Sequence, residues 1–177
     1  GSAGSCDIYV YRVDVCGNLL WMKLIGGTAA DGGQGVFVAP SGNIVVLGRL
    51  ENKATMIEMS PSGVVLSTKL FNINGRLMGG TELDNGDYIL CGPASGTLNV
   101  MRFSPSTGNI VWSKKTLGSG ANKVVQDSSN HVFLGSASGS GGSITLHKIN
   151  QNGSLVWAKK YGAAVSHSDH SAWGCHI

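Results

Sequence analysis

One phrase returns through this chain at a nearly constant interval. Residues 17–27 read GNLLWMKLIGG, residues 108–118 read GNIVWSKKTLG, and residues 153–162 read GSLVWAKKYG. A fainter copy opens at Gly63. Aligned on Gly17, Gly63, Gly108 and Gly153, the copies stand 46, 45 and 45 residues apart. Two places after each glycine is an aliphatic residue: Leu19, Val65, Ile110 or Leu155. Four places after it stands Trp21, Ser67, Trp112 or Trp157, and six places after it Lys23, Lys69, Lys114 or Lys159. Self-similarity at this period marks an architecture in which one supersecondary unit recurs and buries its face against the next.

Two further phrases keep the same step. SGNIVVLG (41–48), NGDYILCG (85–92) and SNHVFLGS (129–136) begin 44 residues apart. IYVYRVD (8–14), TMIEMSP (55–61), LNVMRFSP (98–105) and ITLHKIN (144–150) alternate apolar and polar residues, the period of a half-buried strand. A helical repeat would need two amphipathic stretches of ten or more residues per period, and glycine interrupts every candidate. Twenty-seven glycines and a charged fraction of only 13% suit many short strands joined by tight turns. Within residues 35–71 the strands read GVFVAP, NIVVLG, TMIEMS and VVLSTKLF. The connectors carry Ser-Gly, Asn-Gly and Thr-Gly pairs, which supply the positive φ that tight hairpins require. Four antiparallel strands in about 45 residues, repeated, predict an all-β fold of β-propeller blades.

The phase of the repeat divides the chain. Residues 7–27 supply the last two strands of a partial blade. Complete blades are expected over about 31–71, 79–117 and 120–161, and residues 167–177 align with the first strand of another. A blade closed from both ends would lack its second strand. The sequence is therefore expected to be an excerpt of a longer propeller, or a unit whose open blade ends pair with other copies. The repeated glycines, tryptophans and lysines are expected to be structural. The tryptophan should lie over the next blade or cap its own sheet. The lysine should face solvent and guard an edge strand.

Little in the sequence points to chemistry. The net charge of +3 is spread along the chain, so no nucleic-acid patch is indicated. No apolar run approaches the ~20 residues of a membrane span. HSDHSAWGCH (167–176) holds ligand-type side chains, His167, His170, Cys175 and His176 with Asp169, but at no metal-site spacing. A polar loop entering a strand is the favoured reading. Glu82–Asp87 lacks the downstream glutamate of a calcium loop and sits where a hairpin turn belongs. GSASGSGGS (135–143) has no lysine and opens no helix, so it joins strands rather than cradling phosphate. No G-x-S-x-G elbow occurs. Asn152-Gly153-Ser154 is a glycosylation sequon on a hairpin turn. Cys6, Cys16, Cys91 and Cys175 lack C-x-x-C spacing, which leaves their pairing open, and Cys91 reads as a small buried hydrophobe. No cofactor is expected.

DIYVYRVDVCGNLLWMKLIGG (7–27), continued by DGGQGVFVAPSGNIVVLG (31–48), resembles the bacterial SBBP β-propeller repeat family. SPSTGNIVWSKK (104–115) is similar to the tryptophan-docking repeat of quinoprotein-type propellers. Ser67, in place of a tryptophan, and Ser129-Asn130, in place of Asp-Gly, depart from the pattern. The resemblance implies a propeller and a cell-surface or secreted location. The expected function is a non-catalytic scaffold that binds a protein or glycan partner, with loops at 27–34, 72–80, 118–122 and 162–170 as the contact surface. The alternatives are a self-assembling unit and a fragment of a quinoprotein-like enzyme.

Overall fold

The computed structural model describes residues 6–93, 100–115, 121–129, 131–137 and 144–161, and these form strands and turns without a helix. Among the described residues no helix is long and apolar enough to cross a membrane. The chain separates into two units, 1–77 and 78–177.

The first unit opens with a two-stranded antiparallel sheet, β1 (Ile8–Val13) and β2 (Leu19–Ile25). A four-stranded antiparallel sheet follows: β3 (Gly32–Val38), β4 (Ile44–Leu50), β5 (Lys53–Met59) and β6 (Val65–Asn74), in that spatial order. Side chains alternate across each strand, so each sheet offers two distinct faces. Ile8, Val10, Trp21 and Ile25 on one face of β1–β2 pack against Ile44, Val46, Ile57 and Met59 of the larger sheet. The opposite face of β1–β2 carries Tyr9, Tyr11, Met22 and Leu24, all exposed, with Tyr9 paired to Leu24 and Tyr11 to Met22.

The second unit holds two four-stranded antiparallel sheets. One contains β7 (Gly79–Glu82), β8 (Tyr88–Cys91), β9 (Val100–Ser104) and β10 (Asn109–Lys114). The other contains β11 (Ala121–Gln126), β12 (His131–Ala137), β13 (Ile144–Asn150) and β14 (Leu155–Tyr161). Leu83, Ile89, Cys91 and Val100 of the first meet Val124, Val132, Leu134 and Ile149 of the second in one buried cluster. The Cys91 thiol is free, and burial pushes it up to about 12.

The opening glycine of the repeated phrase closes a hairpin of fixed construction. At the β1–β2 turn the Asp14 carbonyl accepts from Gly17 N at 3.1 Å, and Asp14 N donates to the Asn18 carbonyl at 3.0 Å. The same pair of bonds recurs at Ser60, Gly63 and Val64, and at Asn150, Gly153 and Ser154. Gly17, Gly63 and Gly153 have φ of 85°, 83° and 75°, which places them in the left-handed region that closes such a turn with a bulge. Asp14 Oδ1, Ser60 Oγ and Asn150 Oδ1 each accept a further backbone N–H inside the turn. The copy at Gly108 is one residue longer and bonds back to Ser104.

The loops are shorter than their composition suggests. Residues 27–34 and 72–80 read as loops, yet β3 begins at Gly32, β6 runs to Asn74 and β7 begins at Gly79. Gly32, Gly33, Gly79 and Gly80 lie within strands rather than breaking them, and it is Gly48 on β4 that admits close approach of a main chain. A Cβ on Gly48 would run into the Gly32 carbonyl oxygen.

Candidate functional site: a two-donor clamp on a turn carbonyl

In these turns the carbonyl of the first residue closes the turn, and that of the second points outwards. In two copies the neighbouring sheet captures it. Trp21 Nε1 donates to the Pro61 carbonyl at 3.1 Å, and Arg12 Nη1 donates to the same oxygen at 2.8 Å. Trp112 Nε1 and Arg102 Nη1 both donate to the Gln151 carbonyl, at 3.0 and 3.2 Å. In each case the tryptophan and the arginine lie directly opposite on adjacent strands, Arg12 to Trp21 and Arg102 to Trp112. One neutral and one charge-assisted bond thus converge on one oxygen.

The indole also covers the turn glycine. A Cβ on Gly63 would stand 2.9 Å from Trp21 Cδ2, and one on Gly153 would stand 3.0 Å from Trp112 Cδ2. Glycine is required at both positions for its positive φ and for its missing side chain. Lys114 adds its stem to the second clamp, with Cε 3.1 Å from the same Gly153 position. Lys23, Lys114 and Lys159 are exposed, whereas Lys69 is half-buried. Lys114 does not simply project into water, because its methylenes lie along the docked turn.

A second layer holds Arg102. Its Nε donates to Asp87 Oδ2 at 2.7 Å, with the two side chains only 14% and 11% exposed. Burial pushes the Asp87 carboxyl up, but hydrogen bonds from Ser104, Arg102 and Asn85 outweigh it and hold the group below its ordinary value. The acidic stretch 82–87 is therefore the β7–β8 hairpin, with Gly86 at φ 82°, and its last carboxylate aims the clamp arginine. The sequence reading identified the tryptophans and glycines. It missed Arg12, Arg102 and Asp87, whose positions opposite the tryptophans are visible once the strands are paired.

The other copies differ. Ser67, at the tryptophan position of β6, faces Glu58, and Ser67 Oγ donates to Glu58 Oε2 at 3.5 Å. Gly108 and Gly17 have nothing within 4 Å of where a Cβ would stand. Trp157 of β14 lies opposite Lys148, meets Phe133 edge-on at 6.0 Å between centroids, and has Lys159 Nζ 5.4 Å from its ring.

Elsewhere, one buried carboxylate serves the chain itself. Asp31 accepts from Gly27 N at 2.6 Å and Glu51 N at 2.8 Å. His147 is 2% exposed, its ring nitrogens make no hydrogen bond among the described residues, and burial holds it below its ordinary value. Among the described residues no three His, Cys, Asp or Glu side chains are grouped to hold a metal. His167, His170, Cys175 and His176 lie outside the described residues.

Four-stranded antiparallel sheets in simple sequence order, two of them joined by such a clamp, are blades of a β-propeller. Solved structures share the fold. A protein of unknown function from Bacteroides caccae matches with a TM-score of 0.65 at 19% identity, over 83% of this chain and 52% of its own. A catalytically inactive variant of virginiamycin B lyase from Staphylococcus aureus, solved with quinupristin, matches with a TM-score of 0.61 at 15% identity, over 86% of this chain and 48% of its own. A streptogramin B lyase matches with a TM-score of 0.58 at 18% identity, over 86% and 47%. The chain spans about half the length of these structures. No family model and no curated protein matches it.

Proposed function

We propose that the chain is a non-catalytic β-propeller scaffold of the SBBP repeat type, displayed at the cell surface or secreted, whose inter-strand loops hold a protein or glycan partner. One observation carries this reading: the buried carboxylates Asp31 and Asp87, and Arg102 beside the second, are committed to turns and clamps. Asp87 holds Arg102, Arg102 holds the Gln151 carbonyl, and Asp31 closes its own loop. A scaffold spends its carboxylates in this way, on holding its own turns rather than on a ligand. The exposed loop residues Thr28 and Arg76 lie on the expected contact surface. Immobilised protein probed with glycan and protein arrays should give a signal that Thr28→Glu with Arg76→Glu abolishes without altering the melting temperature. A signal indifferent to both loops would overturn the reading.

A second reading, an enzyme, draws on the two lyases among the fold neighbours. Incubation with quinupristin, followed by mass spectrometry, tests it. Conversion proportional to protein concentration would replace the scaffold reading with this one. Dye reduction in the presence of a quinone cofactor and an alcohol tests the quinoprotein-like alternative in the same way.

A further inference from the structure

The chain holds three Asn-Gly pairs, and two of them, Asn85-Gly86 and Asn152-Gly153, close hairpins of one construction. In each the glycine N–H donates to the carbonyl three residues back: Gly86 to Leu83 at 2.9 Å, and Gly153 to Asn150 at 2.8 Å. The glycines have φ of 82° and 75°, and neither asparagine has a positive φ. The turns are therefore type I, with the asparagine at the third position and its ψ at about 0°. What holds each turn differs. The Asn85 amide is tied within its own hairpin, since Nδ2 donates to Asp87 Oδ2 at 3.1 Å and Oδ1 accepts from Asp87 N at 3.2 Å. No atom lies within 4 Å of the Gly86 Cβ position. The Asn152 side chain is exposed and makes no hydrogen bond among the described residues. Its turn is held from the neighbouring sheet, by Trp112 and Arg102 on the Gln151 carbonyl and by the indole over Gly153.

We propose that Asn152 is a self-modification site, a deamidation site that the Trp112–Arg102 clamp holds shut. Asn-Gly pairs are open to this reaction because glycine puts no side chain in the way of ring closure. The Gly153 N–H loses its proton to hydroxide, its nitrogen attacks Asn152 Cγ, and the side-chain amide nitrogen leaves as ammonia. The five-membered succinimide then takes up water at one of its two carbonyls and opens to aspartate or isoaspartate. In sum, amide and water give carboxylate and ammonia. The docked turn opposes this in two ways. The proton that must leave Gly153 N is held in the bond to the Asn150 carbonyl. Asn152 ψ must also swing away from its turn value to bring that nitrogen to Cγ. Both need the hairpin to lift from Trp112 and Arg102, so the rate follows the population of lifted hairpin. Isoaspartate adds a carbon to the main chain between Gln151 and Gly153. The turn then no longer offers its carbonyl and its glycine at the spacing that the two donors and the indole fit. One opening that reacts becomes a permanent loss of the joint.

The test uses the whole chain, incubated at mildly alkaline pH and sampled over time. Peptide mass spectrometry reads the deamidated fraction at Asn152 and, as an internal reference, at Asn85. In the parent, Asn152 should react far more slowly than in the same chain held unfolded in urea. Trp112→Ala should speed Asn152 by about tenfold or more and leave Asn85 unchanged. Trp112→Phe keeps a ring over Gly153 and removes only the N–H, so it keeps the test open if Trp112→Ala fails to fold. It should speed Asn152 by about fivefold. An Asn152 rate in the folded parent equal to that in urea would overturn the proposal. So would a rate indifferent to both variants, or equal acceleration at Asn85 and Asn152, which would report general loosening instead of release of one clamp.

Discussion

Trp21 and Gly63 stand so close that any side chain on the glycine would enter the indole, at 2.9 Å from Cδ2. Gly17 has the same backbone conformation, φ 85° against 83°, but open space above it. The pair separates two costs that usually arrive together.

Gly17→Ala should cost the left-handed penalty alone, about 1–2 kcal/mol. Gly63→Ala should cost that and the displacement of the ring, about 3 kcal/mol or more in total. In a Trp21→Ala background the Gly63→Ala cost should fall to that of Gly17→Ala. Urea unfolding at high dilution measures all four. Equal costs for Gly63→Ala in both backgrounds would remove the indole from the argument.

Arg102→Gln should leave Asp87 buried without its cation, at a cost of about 3 kcal/mol near neutral pH. In the parent the Asp87 carboxyl is held below its ordinary value, so its contribution is present above about pH 4 and is lost as pH falls through the depressed value. In the variant the hydrogen bond and charge of Arg102 no longer hold the carboxyl down, and the difference between the two proteins should shrink as pH falls from neutral into the acid range. Chemical denaturation at a series of pH values checks this, and a gap that stays constant with pH would exclude Asp87 as its source.

Cys91 keeps its proton up to about pH 12 in the folded chain, whereas an unfolded thiol loses it near pH 8.5. The unfolded state therefore binds fewer protons above about pH 8.5, and stability should fall by about 1.4 kcal/mol per pH unit from this residue between those limits. Cys91→Ala should remove that slope. Cys6 and Cys16, exposed and free, should react with a thiol reagent at once, and Cys91 only on opening of the sheet pair.

His147 should contribute a slope of the opposite sign. Burial lowers its pKa, so the unfolded chain takes up a proton below about pH 6.5 that the folded chain refuses. Stability should fall as pH drops through that range, and His147→Leu should abolish the dependence and stabilise the protein at pH 5. An unchanged acid limb in His147→Leu would place the uptake elsewhere.

The strands were legible because alternation in IYVYRV, TMIEM and ITLHKIN is local, and so were the positive-φ glycines of the turns. The ring-over-turn contact was anticipated only in outline. The arginines were not legible, because the partner of Arg102 Nη1 is a main-chain oxygen 49 residues away that no residue type announces. Asp87 was read as part of a turn, which it is. Its second task depends on Arg102 reaching across from the neighbouring strand. Gly32, Gly33, Gly79 and Gly80 misled because composition cannot distinguish a glycine that breaks a strand from one that lies within it.

The clamp closes on a main-chain oxygen, so the residue that bears it is under no obligation: proline serves in one copy and glutamine in the other. A unit built this way carries a plug on its last strand and a socket on the turn that leads into that strand. Duplicated in tandem, it meets its neighbour already fitted, with no new surface to invent. Such a chain can lengthen by whole units while its loops diversify, and a substitution at the residue that bears the captured oxygen leaves the joint intact.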